Sequence, residues 1–398
     1  MEWTSGQKEC IHLANRWLKK QDKQVFQYSG PAGTGKTTIM PEILSKSKLD
    51  VDTEVLCMAF TGRAASNLSL KGLPASSMHS ALMDCVTVPK KDENGREIYA
   101  NGRKVTTWQF VKKEFLPRSI KLLVIDEGLF VGTEMGQIAE SFGLPICVMG
   151  DTEQLGPLYG KPYFLNYDNI DYTLDEITRQ AKGSGIIELA TRIRLGQELP
   201  RRKYRFKDDA FIIPKKEITD TVLLNSDIIL CGKNRTRNYF NKRIREDILG
   251  IDSKLPVKGD KLICRHNYWG YNLGGISLTN GIIGHVINTP ARSSIDLKSN
   301  TIKIDFRPDY IDYDYYENLP VDIGFFQADC GPDKKYDPFS KGMKFELGHA
   351  ITVHVSQGSQ FDTATYWDEP NPMMSSDLLR RIRYTAATRA SQLLVYAV

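Results

Sequence analysis

The 398-residue chain contains no apolar run long enough to cross a bilayer. Its first residues, MEWTSGQKEC, lack the basic stretch and apolar segment of a secretory signal, so a cytoplasmic protein with no membrane association is expected. Seven cysteines (Cys10, Cys57, Cys85, Cys147, Cys231, Cys264 and Cys330) are scattered, without a C-x-x-C pair or a histidine at zinc-finger spacing. That excludes a zinc module and argues for reduced thiols. No internal repeat, heptad run or low-complexity segment is present, which sets aside solenoids and coiled coils. Charge imbalance is also slight: 53 Lys and Arg against 48 Asp and Glu leave a net +5, which permits a nucleic-acid partner without requiring one. Hydrophobic content of 41% and charged content of 25% are those of a globular protein, and the length calls for two or three domains. Val398 follows an expected strand directly, so no appended nuclease or tail is expected.

What is present is concentrated in residues 25–38, VFQYSGPAGTGKTT, which meet the full G-x-x-x-x-G-K-[ST] spacing. Val25 to Tyr28 reads as a short buried strand. Gly30, Ala32, Gly33, Thr34 and Gly35 then bring backbone N–H groups together around phosphate oxygens. The helix beginning near Gly35 directs its positive end at the same place, through Lys36, Thr37 and Thr38. Lys36 is expected on the β- and γ-phosphates and Thr37 on Mg²⁺, which favours oxygen ligands. A nucleoside triphosphate is therefore the expected ligand.

Upstream, Thr4 or Ser5 caps an expected helix with apolar positions Cys10, Leu13, Ala14, Trp17 and Leu18. Gln7 lies at its start, where a side-chain amide suits an adenine edge but is equally ordinary as a surface residue. Downstream, Pro41 is expected to kink or end the helix that opens at Lys36. A second strand over Glu54–Phe60 and a helix from Gly62 form a β-α unit. Phe60 and Thr61 fall at the carboxyl end of that strand, where open α/β sheets bind ligands.

Residues 84–118 change character, with turn signals at Asn94-Gly95 and Asn101-Gly102. An inserted β-ribbon is expected, carrying Tyr99, Trp108 and Phe110 among Lys and Arg. Aromatic rings interleaved with positive charge suit single-stranded nucleic acid, although a solvated excursion has the same composition. The strand Leu122–Ile125 then ends in Asp126-Glu127. Two adjacent acids at a buried strand end are costly unless they face a cation and a reacting water. Asp126 is the expected outer-shell or direct Mg²⁺ ligand and Glu127 the base that orients and deprotonates the water. The strand ICVMG leads into GDTEQLGP, whose Asp151 and Gln154 are candidate γ-phosphate sensors. Three such strand ends on one sheet edge point to one nucleotide site.

From about residue 170 the β-α pattern restarts with LDEITRQ, a helix GIIELATRIRLG, a strand DIILC and a helix NRTRNYFNKRIREDIL. Arg179 is a candidate arginine finger, or one surface Arg of many. Residues 256–345 break the rhythm into short β-prone runs between Gly and Asn turns, as in a small barrel. Within them DYIDYDYYENLPVD is read as an acidic, solvated or partner-facing loop. The chain closes on GHAITVHVSQGSQFDTATYW and SSDLLRRIRYTAATRASQLLVYAV, with Arg389 between the last helix and strand.

In this order, and over nearly the whole chain, these motifs resemble superfamily 1 helicases of the RecD-like and Dda-like branch. Gln7, GPAGTGKTT, AFTGRAA, SSMHSAL, VIDE, GDTEQLGP, LDEITRQ, AITVHVSQGSQFD and YTAATRA stand where that family has its motifs. The resemblance implies an α/β fold of two RecA-like domains, with ATP between them and a single strand across both. It places the first domain at 1–83 and 119–168 with a β-hairpin wedge at 84–118. The second is placed at 169–255 and 346–398 with an SH3-like barrel at 256–345. Arg179 and Arg389 become γ-phosphate arginines. Phe60, Thr61, Arg63 and His79 become strand contacts of the first domain, Trp108 of the wedge, and Thr352 and His354 of the second domain. The implied activity is an ATP-dependent DNA helicase working 5′ to 3′ on single-stranded DNA and forks, as a monomer, with ATP and Mg²⁺. Replication or recombination proteins are its implied partners, in a bacterial cytoplasm or in that of a host if phage-encoded. An RNA helicase, a P-loop phosphotransferase and a nucleotide-switched nucleic-acid-binding protein are the competing readings. Two departures stand out: Gly128-Leu129 follow Asp126-Glu127 where the family has Ser or Ala, and Val355 and Gln360 replace Lys and Glu.

Overall fold

The computed structural model describes residues 2–92, 95–100, 103–157, 160–273, 276–288, 295–296, 298–311, 313–327 and 342–398. Two compact units emerge. The first comprises 1–152 with 156–176, the second 153–155 with 177–398. The first unit thus runs on to Glu176, past the expected boundary at 168, because Tyr172–Thr173 adds an edge strand to its sheet.

Six parallel strands form the first sheet, in the order Tyr172–Thr173, Val25–Ser29, Ile146–Gly150, Leu122–Asp126, Val55–Ala59 and Ala75–Ser77. Their near-continuous apolar runs are what a parallel sheet covered on both faces requires. One face buries Cys10, Ile11, Ala14 and Trp17 of helix Ser5–Lys20 with Ile39, Met40, Ile43 and Leu44 of helix Lys36–Ser47. The other buries Met78, Leu82, Met135 and Ala139. Thr4 caps the first helix in a reciprocal box with Gln7.

The helix from Lys36 does not stop at Pro41 but runs on to Ser47. A proline at this depth costs about 3 kcal/mol through its missing hydrogen bond and steric clash. Burying Met40, Ile43 and Leu44 contributes roughly 1.5–3 kcal/mol per side chain, so packing overrides the local break.

The expected ribbon is an antiparallel pair, Met83–Pro89 with Thr106–Lys112, in a register that sets Cys85 opposite Phe110. Beyond it Tyr99–Ala100 pairs with Arg103–Lys104. Asn94, Asn101 and Gly102, on which the turn expectation rested, lie outside the described residues.

In the second unit the strand order is Tyr204–Phe206, Ala210–Ile213, Ala390–Ala397, Phe361–Trp367, Ile228–Cys231 and Ala350–Thr352. The first pair is antiparallel and the rest are parallel. The helix opening at Asn234 is α-helical to Lys242 and continues as a π-helical stretch, Arg243–Ile248. A second, antiparallel sheet of this unit contains Lys261–Cys264, Ile283–Asn288, Ile295–Asp296, Thr301–Pro308, Tyr316–Asp322 and Phe345–Leu347. It curls on itself: the Asp322 amide donates to Met343 O (2.9 Å) and the Met343 amide to Pro320 O (2.6 Å), just ahead of the last strand. Its core of Leu262, Val286, Ile304, Phe306, Leu319 and Phe345 is its own. The segment read as an acidic loop therefore becomes a strand from Tyr316 onward, since Tyr316, Leu319 and Val321 face that core. The π-helical stretch joins the curled sheet through a buried bidentate pair, Arg245 Nε to Asp260 Oδ1 (2.7 Å) and Nη2 to Oδ2 (2.9 Å). Among the described residues no helix is long and apolar enough to cross a membrane.

Candidate nucleotide site and strand-contact residues

In the first unit, strand Val25–Ser29 runs into a loop whose Gly33 and Gly35 adopt φ of +83° and +79°, a region that favours glycine. A Cβ at Gly30 would stand 2.7 Å from Leu174 O and from Thr34 Oγ1, so this position also demands glycine. The Lys36 ammonium turns back onto Gly30 O (2.6 Å) and Pro31 O (3.1 Å), inside the curve of the loop. Thr34 Oγ1 donates to Pro31 O (2.9 Å), and Tyr28 Oη to Lys36 O (3.0 Å) fixes the first helical turn from beneath. Gly35 gives the helix no side-chain cap, which leaves its N-terminus open to an anion.

Gln7 lies at this loop but is 3% exposed. Its Nε2 donates to Thr34 O (3.0 Å) and its Oε1 accepts from the Thr4 amide (3.0 Å). The amide therefore braces the loop, and one N–H and one oxygen lone pair remain beyond these two bonds.

Asp126 closes strand Leu122–Asp126. Burial pushes its carboxyl up, opposed by the Glu127 amide, by the Lys71 and Lys36 charges and by the nearby Thr37 hydroxyl. A hydroxyl and an undercompensated carboxylate form a hard-oxygen pair that suits Mg²⁺. No group of three His, Cys, Asp or Glu able to hold a metal occurs among the described residues, and Mg²⁺ bound through phosphates and water needs none. Glu127 adopts φ of +54°, a left-handed conformation uncommon outside glycine, with its amide held by Asp126 Oδ1 at 2.8 Å. The departure at position 128 has a steric reason: a Cβ there would lie 2.2 Å from Val148 Cγ1.

Asp151 ends 1% exposed in the first unit, whereas Glu153–Leu155 belong to the second. There Arg389 is 4% exposed and donates to Thr385 O (3.1 Å), Ser359 O (3.1 Å) and Gln154 Oε1 (2.8 Å). Arg381 Nη1 reaches Gln154 O (3.1 Å), and the Leu155 amide donates to Thr385 Oγ1 (2.9 Å). The candidate sensor and one candidate finger are thus direct partners. Spacing did not reveal Thr385 or Ser359, although Thr385 stands four residues before Arg389 on a helix, where a backbone carbonyl can be reached.

Among the strand-contact candidates, Thr61 accepts from the Ala64 amide (3.2 Å) and caps helix Gly62–Leu70. Phe60 and His79 meet edge to face with ring centroids 6.2 Å apart. His79 in turn meets Phe110 of the hairpin at 5.2 Å, a contact that the spacing of the sequence does not announce. Thr352 closes strand Ala350–Thr352 and is buried, and His354 follows in the turn. Burial pulls both His79 and His354 below the ordinary imidazole value. The side chains of Arg63, Trp108 and Arg179 lie outside those described.

A family model described as an AAA domain matches residues 4–212. The chain belongs to this family. A second model, the UvrD-like helicase C-terminal domain, matches residues 347–396. It is 29% identical to the ATP-dependent DNA helicase dda of Enterobacteria phage T4, over 49% of this chain and 43% of that protein. It is 25% identical to an uncharacterized protein of Methanocaldococcus jannaschii, over 93% of this chain and 36% of that protein. The chain thus spans under half the length of these curated relatives. The fold is similar to that of a Bacteroides Pif1 helicase solved with ADP-AlF3 and ssDNA, with a TM-score of 0.56 at 17% identity over 100% of this chain and 93% of that one.

Proposed function

We propose that the chain is an ATP-dependent DNA helicase that moves 5′ to 3′ along a single strand and opens the duplex ahead of it. The observation that carries this reading is the phosphate loop itself, with Gly33 and Gly35 at positive φ, the Lys36 ammonium curled inside it and the N-terminus of helix Lys36–Ser47 uncapped, on the same sheet that ends a strand at Asp126-Glu127. This is the donor set of a hydrolase, and the likeness to dda and to a Pif1 solved on single-stranded DNA extends it to a motor.

Lys36 and the amides of the loop bind the triphosphate. Thr37 and Asp126 would hold Mg²⁺, which would neutralise phosphate charge. Glu127 orients the attacking water and accepts its proton. Arg389, once exchanged from Gln154, and Arg179 stabilise the charge that develops on the γ-phosphate, an effect worth 10³–10⁵ in rate in other phosphoryl-transfer systems. Phe60, Thr61, Arg63, His79, Thr352 and His354 contact the strand, and alternate closure and opening of the two RecA-like domains advances it. The hairpin at 84–118, with Trp108, is the wedge, and the barrel at 256–345 completes the second domain. The protein acts as a monomer on single strands and forks, beside replication or recombination proteins.

Two matched partial duplexes, one with a 5′ and one with a 3′ single-stranded tail, test this with ATP and with Glu127→Gln as control. Opening of the 5′-tailed duplex alone is expected. Opening of the 3′-tailed duplex alone would overturn the polarity, and ATP hydrolysis without opening of either would overturn the helicase.

A further inference from the structure

Among the described residues, polar contacts fasten the hairpin where it rejoins the first unit. The Lys113 amide donates to Leu82 O (3.0 Å), and its ammonium reaches Ser80 O and Ala81 O (3.0 Å each), covering carbonyls of the short helix Met78–Leu82. Lys112 lies over the Phe142 ring, 4.8 Å from its centroid. These contacts anchor the place where the hairpin rejoins the body. They do not reach the edge where the strand is proposed to lie. That connection runs through rings: Phe110 on hairpin strand Thr106–Lys112, then His79 on helix Met78–Leu82, then Phe60 past the end of strand Val55–Ala59.

His79 meets Phe60 at 64° and Phe110 at 58°, so one imidazole is shared between a strand-contact residue and the hairpin. All three side chains are half-buried, so each keeps an accessible face. An isolated two-stranded ribbon is marginal in water, and whatever it does to a duplex depends on how it is held. Offset and edge-to-face aromatic contacts add modestly to the area they bury, enough to hold a ring without locking it. Through these ring contacts a change at Phe60 passes to the hairpin as a shift in packing.

We propose that Phe110 is a positioning residue that couples the hairpin to the bound strand through His79 and Phe60, so that strand occupancy sets the stiffness and aim of the hairpin. This rests on the proposed strand-contact role of Phe60 and His79. Loss of Phe110 should uncouple two activities that otherwise move together.

The test uses the full chain with Phe110→Ala, Phe110→Leu and Phe110→Tyr. Amide hydrogen exchange of Met83–Pro89 and Thr106–Lys112 is followed with and without an oligo-dT strand, alongside strand-stimulated ATP hydrolysis and opening of the tailed duplexes. In the wild type, the strand is expected to slow hairpin exchange by about tenfold. In Phe110→Ala and Phe110→Leu that protection should vanish and base pairs opened per ATP should fall at least severalfold, with strand-stimulated hydrolysis unchanged. Phe110→Tyr, which keeps the ring, should restore both. Phe110→Leu retains apolar bulk and guards against simple unfolding of the hairpin. Unchanged strand protection in Phe110→Leu would overturn the proposal, as would equal losses of hydrolysis and opening. If the wild type opened no duplex, the helicase reading would fail on its own, and hydrogen exchange would still decide whether the hairpin senses the strand.

Discussion

Each unit contains a parallel strand that turns through glycine into a helix, and the two turns treat anions in opposite ways. In the first, Val25–Ser29 leads to helix Lys36–Ser47 through Gly33 and Gly35 at positive φ, and Gly35 supplies no side-chain cap. The space is made by missing side chains and left for phosphate. In the second, Ile228–Cys231 leads through Gly232 to helix Asn234–Lys242, and the chain's own Glu369 takes the place. Its carboxylate accepts from the amides of Gly232 (2.9 Å) and Lys233 (3.2 Å) and from the Thr236 hydroxyl. A helix N-terminus attracts negative charge in either case. Whether it becomes a ligand site depends on whether the fold supplies its own anion.

The largest break in this comparison is Lys36→Ala, which should abolish ATP turnover and show in a steady-state hydrolysis assay that the first turn alone carries nucleotide chemistry. Glu127→Gln sharpens it: turnover should fall by about 10²–10⁴ while nucleotide binding, followed by fluorescence of a labelled ATP analogue, persists. Wild-type turnover in Glu127→Gln would remove it as the base.

The second unit should also carry an acid-sensitive joint at His349. Burial, with the Lys261, His285 and Arg245 charges, pulls its imidazole from 6.5 down to about 3, against the opposing pull of Asp309. Its Nε2 is buried without a partner. The unfolded chain therefore binds this proton more readily than the folded one. The contribution is fully present above pH 6.5 and is lost as pH falls toward 3, by up to about tenfold in the folding constant per pH unit. Urea midpoints at pH 7, 6, 5 and 4 should fall, and should fall less steeply in His349→Gln. The smallest effect is expected from Glu369→Gln, a loss of about 0.5–2 kcal/mol by thermal unfolding with ATP turnover intact. The double variant Lys36→Ala with Glu369→Gln should still bind no ATP, because emptying the second turn does not supply glycines at positive φ.

The phosphate loop, the strand ends at Phe60 and Asp126, the ribbon and the curled sheet were legible because each is written in local spacing or in a change of pattern. Pro41 was misread because local propensity was weighed without the packing of Met40, Ile43 and Leu44. The pairings Gln154 with Arg389, Glu369 with Gly232 and His79 with Phe110 were not legible. Each joins residues far apart in sequence, and neither periodicity nor motif spacing records which partner the tertiary fold brings near. Gly128 shows the same limit in reverse: its departure from the family pattern is visible in the sequence, but the Val148 methyl that demands it is not.

The place of strand Ala390–Ala397, third of six and hydrogen-bonded to Ala210–Ile213 on one side and Phe361–Trp367 on the other, has a consequence for synthesis. Ala210 meets Leu394 across about 180 positions, so the apolar edge of Ala210–Ile213 stays open on the ribosome until almost the whole unit has emerged. The curled sheet, whose strands follow one another closely, can form meanwhile. It would then be a finished block around which an unfinished, aggregation-prone sheet waits for its central strand.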